Sequence, residues 1–328
     1  MRVLFLLLLV SLGLAPVAEA APAARQGRFE VDKGKTSWTL HYTFSDESNK
    51  PRKLSVELPT SAVAKDNDTK LQFPKSAAVK AQVAAVRRYA KRNKGPQIEA
   101  KAQNGGVSIR VSGKNAGKMQ DALDGAKEAA ESALSVYLAR HRYTRLRGGG
   151  IVPDHARLAD QYADDVQPVA EALAAGNPDA RTYVARALAF TQAIPYEAGK
   201  NGADRGYRRP LSVLARNKGD CDSKSTLFLA LVRSRHPELA ATVVYIPNHA
   251  FAGVALEPAP GERSFQRDGV RYVAMEPVGP AKTRLGQVSG GSGWHLFWGS
   301  AEARTLKTGV VVDPGEVPAE PLPEEPEE

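Results

Sequence analysis

Apolar and polar residues alternate along TSWTLHYTF (36–44) and RKLSVEL (52–58), the pattern of half-buried strands. Between Lys75 and Asn93 the period changes, with Val79, Val83 and Val86 recurring at helical spacing. QIEAKA and VSIRVS then flank Gln103-Asn104-Gly105-Gly106, a hairpin signal. Met119, Leu123, Ala126, Ala130, Leu134 and Tyr137 mark a long amphipathic helix ending near Arg140. The pattern predicts a small β-β-α-β-β-α unit, and Gly148-Gly149-Gly150 reads as a hinge into a second one. There a helix is expected over about Ala180 to Ala193, leading into AIPYE, a Gly- and Arg-rich loop (199–210) and a short segment from Leu211 to Arg216. From Ser223 to Ser234, Leu227, Phe228, Leu231 and Val232 fall on one helical face. AATVVYIPN and HAFAGVALE read as strands, and ERSFQRDGVRYVAMEP as a hairpin turning at Asp268-Gly269. The expected class is α+β throughout.

The two ends carry different signals. Met1-Arg2, an apolar run from Val3 to Leu14 and the small-x-small triplet Ala18-Glu19-Ala20 form the pattern of a secretory signal peptide cleaved near Ala20. No cysteine follows that run, so a lipid anchor there is not expected. No later stretch is apolar and long enough to cross a bilayer, so no transmembrane segment is expected after signal removal. The expected location is periplasmic or secreted. The segment after Val310 is rich in Pro and Glu, lacks apolar periodicity and is expected to be disordered. The expected organisation is a signal peptide (1–20), a basic α+β domain (21–150), a second domain (151–310) and an acidic tail (311–328).

Charge separates these parts. Residues 21–150 hold 25 Lys/Arg against 12 Asp/Glu, whereas 151–310 hold 19 against 16, so the basic character belongs to the first domain. The run Arg87-Arg88-Tyr89-Ala90-Lys91-Arg92-Asn93-Lys94 suits an anionic envelope polymer or membrane surface, or else is the solvated face of a helix. A nucleic-acid partner is not expected, since no binding motif accompanies the charge.

The single cysteine of the chain, Cys221, cannot form an intrachain disulfide. It is either a small buried hydrophobe or a nucleophile. Its setting, NKGDCDSKS, places it in the first turn of the predicted helix, with Asp220 or Asp222 as cap. Unpaired N–H groups and the positive end of the helix dipole there favour thiolate, which predicts a depressed thiol pKa. Lys224 adds a cation or is a surface residue. Of the six histidines, only His249 stands at the start of a strand close behind the cysteine helix, and Glu276 ends the strand expected beside it. The chain order Cys221, His249, Glu276 suits a thiol nucleophile, its proton partner and an orienting acid. No His/Cys/Asp cluster has recurrent metal-ligand spacing.

Over residues 180–280 the pieces FTQAIPYE, PLSVLARNKGDCDSKSTLFLALVRS, NHAFAGVAL and YVAMEP resemble the core of the transglutaminase-like cysteine superfamily, a papain-like group ordered Cys, His, Asp. The resemblance implies Cys221 as nucleophile, His249 as general base and acid, and Glu276 as orienting acid. The family's third residue is commonly Asp followed by Pro-Thr; this chain has Glu276-Pro277-Val278. The implied chemistry is attack on an amide carbonyl to give a thioacyl enzyme. With water as acceptor this makes a peptidase or amidase acting on an envelope protein or peptide. A lysine amine as acceptor makes a protein-crosslinking acyltransferase, and an inactive member serves as a non-catalytic envelope-binding module. No cofactor is implied beyond calcium, which some bacterial members hold with acids around the cysteine; Asp220 and Asp222 are the candidates here, with helix capping as the alternative. Tyr196 in IPYE corresponds to a stretch near the family's cleft. In GGSGWHLFWGS (290–300), Trp294, Phe297 and Trp298 line a substrate groove or close the core.

Overall fold

In the computed structural model the described residues are 26–68, 74–147, 149–197, 207–247, 249–279, 281–288 and 301–306. The expected signal peptide, the acidic tail, Gly148, most of the Gly- and Arg-rich loop, and Trp294, Phe297 and Trp298 lie outside them. The described residues form a mixed α+β structure.

The alternating run at the start becomes a three-stranded antiparallel sheet, β1 (Gln26–Lys33), β2 (Ser37–Ser45) and β3 (Pro51–Pro59), in the order β1-β2-β3. Leu40 faces Val56 and Tyr42 faces Leu54 across the central pair, so their period-2 pattern buries one face. Strand β1 was not expected: of its residues only Phe29 and Val31 pack on the core, and the rest of the strand gives little apolar signal. After the short helix α1 (Thr60–Asp68) come α2 (Lys75–Arg92), the hairpin β4 (Gln97–Gln103) and β5 (Gly106–Ser112), and α3 (Ala116–Arg140). The hairpin turns on Asn104 and Gly105, both at positive φ, as a tight primed turn requires. Asn115 caps α3 by accepting from the Lys118 N–H.

The glycine run is flanked by a second small hairpin, β6 (Tyr143–Arg145) with β7 (Ile151–Pro153). Leu146 N donates to Gly150 O and Gly149 N to Leu146 O, so the residues on either side of Gly148, where the sequence suggests a hinge, are hydrogen-bonded to one another. Helices α4 (His155–Gln161), α5 (Gln167–Leu173), α6 (Ala180–Ala193), α7 (Pro210–Arg216) and α8 (Cys221–Arg235) follow. Strands β8 (Ala241–Ile246), β9 (His249–Val254), β10 (Ser264–Arg267), β11 (Val270–Met275) and β12 (Glu302–Thr305) make an antiparallel sheet in the order β10-β11-β9-β8-β12. Its one face, including Ala250, Ala252, Val254, Val273 and Met275, joins the core around α8.

The apolar cores do not divide at residue 150. Leu40, Tyr42, Phe44, Leu54, Val56 and Leu58 share one cluster with α4 to α8 and the five-stranded sheet. Phe190 of α6 meets Tyr42 and Phe44 edge-on at centroid separations of 5.1 and 5.2 Å. Tyr42 Oη donates to Leu214 O at 2.7 Å, and buried Asp66 accepts from Ser212 N at 2.8 Å and from the Tyr162 hydroxyl. A separate cluster, with Val79, Val83, Val86, Ala126 and Ala130, belongs to α2, β4, β5 and α3. The basic stretch from α2 to α3 thus has an apolar cluster of its own, and a further one (Ala78, Leu134, Leu138, Tyr143) joins it to β6, while the first sheet packs with the second half of the chain. No helix among the described residues is long and apolar enough to cross a membrane.

Candidate active site

The site is built where the N-terminus of α8 meets the start of β9. Asn217, at positive φ, ends α7, and the chain turns through Lys218 and Gly219 into Asp220. A side chain at Gly219 would crowd Lys224 Cγ, Ser223 Cβ and Val213 Cγ2 at 3.2–3.3 Å, so the close approach favours glycine there. Asp220 is the cap, accepting from Ser223 N at 3.1 Å, which makes Cys221 the first helical residue, as the sequence predicts. Tyr196 pairs its backbone with Gly219 in a parallel bridge, two residues from the cysteine, and its side chain is exposed. Beside it Glu197 binds Arg208 and Lys218; the Arg208 hydrogen bond leads in pulling the Glu197 carboxyl down to about 2.

His249 and Glu276 come together. His249 opens β9 and Glu276 directly follows β11, its antiparallel neighbour. His249 Nε2 lies 2.8 Å from Glu276 Oε2, and the carboxylate accepts from that nitrogen, which leaves Nδ1 with the ring's lone pair. This is the tautomer a base needs. Glu276 is buried, and the backbone that carries it is held from below: Gln192 Nε2 donates to Glu276 O and to Thr283 Oγ1, both at 2.8 Å. Glu276 Oε1 is buried without a hydrogen-bond partner among the described residues.

Cys221 reaches the same place by a backbone contact. Its sulfur accepts from the N–H of Ala250, next to His249, and Ser225 Oγ donates to Ala250 O at 3.3 Å. The thiol proton, however, is directed to Asp222 Oδ1 at 3.0 Å and not to the imidazole. The sequence pattern predicts a depressed thiol pKa; the structure reverses the sign. Burial comes first and the Asp222 carboxylate second, and together they push the Cys221 thiol well above its usual range, against the smaller pull of the Ala250 N–H. Only 8 % of the cysteine is exposed.

Two further side chains border the site in ways the sequence pattern does not indicate. Lys224 is a fully buried residue, not a surface one: Nζ donates to Ile194 O at 2.6 Å and to Gln192 O at 3.4 Å. Burial pushes its ammonium down to about 7, with the charge of Glu276 acting in the other direction. His155, which nothing in its own stretch of sequence marks, is wholly buried with Nε2 3.6 Å from Asp222 Oδ2. The calcium candidates are engaged within the chain, Asp220 as cap and Asp222 between Cys221 and His155. Among the described residues no group of three or more His, Cys, Asp or Glu is placed to hold a metal ion.

No family model, no curated protein and no solved structure matches this chain.

Proposed function

We propose that this protein is an exported cysteine enzyme with a papain-like, transglutaminase-like fold, a thiol peptidase or amidase acting on an envelope protein or peptide. Cys221 attacks the amide carbonyl, the C–N bond breaks as His249 hands a proton to the departing amine, and water then releases the acyl group. Glu276 holds the imidazole in its working tautomer and stabilises its cation. The observation that carries this reading is the 2.8 Å His249–Glu276 pair, set at the start of β9 where the Ala250 N–H meets the cysteine sulfur. The α8 N-terminus supplies oriented N–H groups near the sulfur, which favours negative charge developing there.

Incubating the full protein with a mixture of envelope peptides and following it by mass spectrometry tests the reading. New carboxyl termini, or loss of ammonia from side-chain amides, are expected with wild type and not with Cys221→Ala. Products joined by new isopeptide bonds would identify the acyltransferase instead, and identical peptide profiles for both proteins would remove the enzymatic reading.

A non-catalytic envelope-binding role is favoured by one observation, the thiol proton resting on Asp222. In either case the α2–α3 part is the proposed contact with an anionic envelope polymer, because Arg87, Arg88, Lys91, Arg92 and Lys94 are exposed along and after one helix. Retention on such a polymer falls as salt rises from tens to hundreds of millimolar if this contact is electrostatic, and a salt-independent retention would refute it.

A further inference from the structure

Cys221 is flanked by a second acid–imidazole pair. Sγ donates its proton to Asp222 Oδ1 at 3.0 Å, and the other carboxylate oxygen, Oδ2, stands 3.6 Å from His155 Nε2. The His155 ring has no exposed surface, and its Nε2 is buried without a hydrogen-bond partner among the described residues. Its Nδ1 lies 2.8 Å from Thr226 Oγ1, and the Thr226 hydroxyl already gives its one proton to Asp222 O, also at 2.8 Å. Nδ1 is therefore the donor to Thr226. A neutral ring would then aim the Nε2 lone pair at a carboxylate oxygen. With a second proton on the ring, the 3.6 Å contact is an ion pair.

The ring is fixed from other sides by Tyr207 and Tyr245, at centroid separations of 4.8 and 5.9 Å. Asp222, with its side chain 34 % exposed, is thus tethered at one oxygen and engaged with the thiol at the other.

We propose that Asp222, anchored by His155, is a brake on Cys221 that holds the sulfur as a protonated thiol in the resting protein. The inference rests on the reading of Cys221 as the nucleophile. A carboxylate that accepts the S–H bond stabilises the neutral thiol and repels the thiolate, so it acts against the helix N-terminus. The surrounding ionisable groups divide in the same way. On α8, Asp220 adds to the brake and Lys224 turns its Nζ to the Ile194 and Gln192 carbonyls; from α4 comes His155, and from β8 Tyr245. From β9 the Ala250 N–H acts on the sulfur, and His249, next to it in the chain, is paired with Glu276. Burial pushes the Asp222 carboxyl up, but the nearby His155 ring and the Cys221 thiol together outweigh it and hold the carboxyl below its usual range. When that hydrogen bond is released, the S–H bond breaks and the proton passes to His249, the base of the proposed reaction. Thiolate and imidazolium form together, with no change in net charge.

The test is the pH profile of iodoacetamide alkylation at Cys221. Asp222→Asn keeps the shape and removes the charge, and is expected to lower the midpoint by about one pH unit or more, raising the rate at pH 7.5 about tenfold. An unchanged or slower rate would overturn the brake, and a slower one would make Asp222 a base. With Asn at 222, a further His155→Gln substitution is expected to leave the midpoint where it is, because His155 acts through the carboxylate. The wild type gives a check that needs no variant: its thiolate absorbance at 240 nm should titrate above the free-thiol value of about 8.5, and a midpoint at or below it would overturn the proposal. Amide turnover by wild type with an unaltered Asp222→Asn profile sinks the brake alone. Faster alkylation of Asp222→Asn without any turnover sinks the enzymatic reading alone.

Discussion

Lys224→Met is a perturbation whose effect on stability follows from the structure. The lysine is completely buried and its amine titrates near 7 in the folded protein, against 10.5 for a free side chain. The unfolded chain therefore binds a proton between these two values that the folded protein does not. Stability must rise with pH across that interval, by at most about 1.4 kcal/mol per pH unit. The penalty is complete below pH 7, where it amounts to roughly 4 to 5 kcal/mol, and has vanished above 10.5. Methionine keeps the straight aliphatic chain and carries no proton, but it takes away the donor that Ile194 O and Gln192 O share. That loss costs about 1 to 3 kcal/mol at every pH. Urea unfolding followed by circular dichroism, run on both proteins at pH 6.5 and pH 9, isolates the lysine because every other titrating group is common to the pair. Wild type should gain about 2 to 3 kcal/mol on the variant between those two values. Parallel stability curves would refute the reasoning, and would mean that the amine finds solvent or a counter-charge that offsets its burial.

Glu276→Gln keeps the size of the side chain and removes its charge. It should lower turnover by roughly two to four orders of magnitude while the melting temperature barely moves, as enzyme assays and calorimetry on the same preparation would check. Unchanged turnover would make Glu276 a structural partner of His249 only. Phe190→Ala removes a ring wedged against Tyr42 and Phe44 and should cost about 3 to 5 kcal/mol in chemical denaturation. By the same packing a fragment beginning at Ile151 should fail to fold, and a sharp cooperative melt of that fragment would contradict the shared core.

Much of the fold is legible because the elements in question are amphipathic or punctuated. Strands β2 and β3 alternate along their length, the β4–β5 hairpin turns on Asn104-Gly105, and Asp268-Gly269 turns the hairpin that delivers Glu276. The capped first turn before Cys221 is legible for the same reason, since Asp220 offers its oxygen to the Ser223 N–H. Where a helix is covered on all sides the pattern fails. On α8 Ser223, Lys224, Ser225 and Thr226 are as buried as Leu227 and Phe228, so polarity gives no hint that Lys224 lies inside. His155 sits 67 positions before Asp222, and only the packing of α4 on α8 brings them together. The sign of the cysteine's pKa shift is hidden in the sequence for a related reason. The helix N-terminus can be read from a motif, but the burial of the thiol and the aim of the neighbouring carboxylate cannot.

The central claim is that Cys221 forms a thioacyl bond with help from His249. Its most direct test is the mass of the Cys221-containing peptide after brief reaction of the whole protein with envelope peptides, acid quenching and digestion at low pH. The account predicts an acyl increment on Cys221 that hydroxylamine removes, that builds up when deacylation is slowed, and that is absent from His249→Ala. An unmodified Cys221 at every time point, in a protein that binds the same peptides, would contradict it.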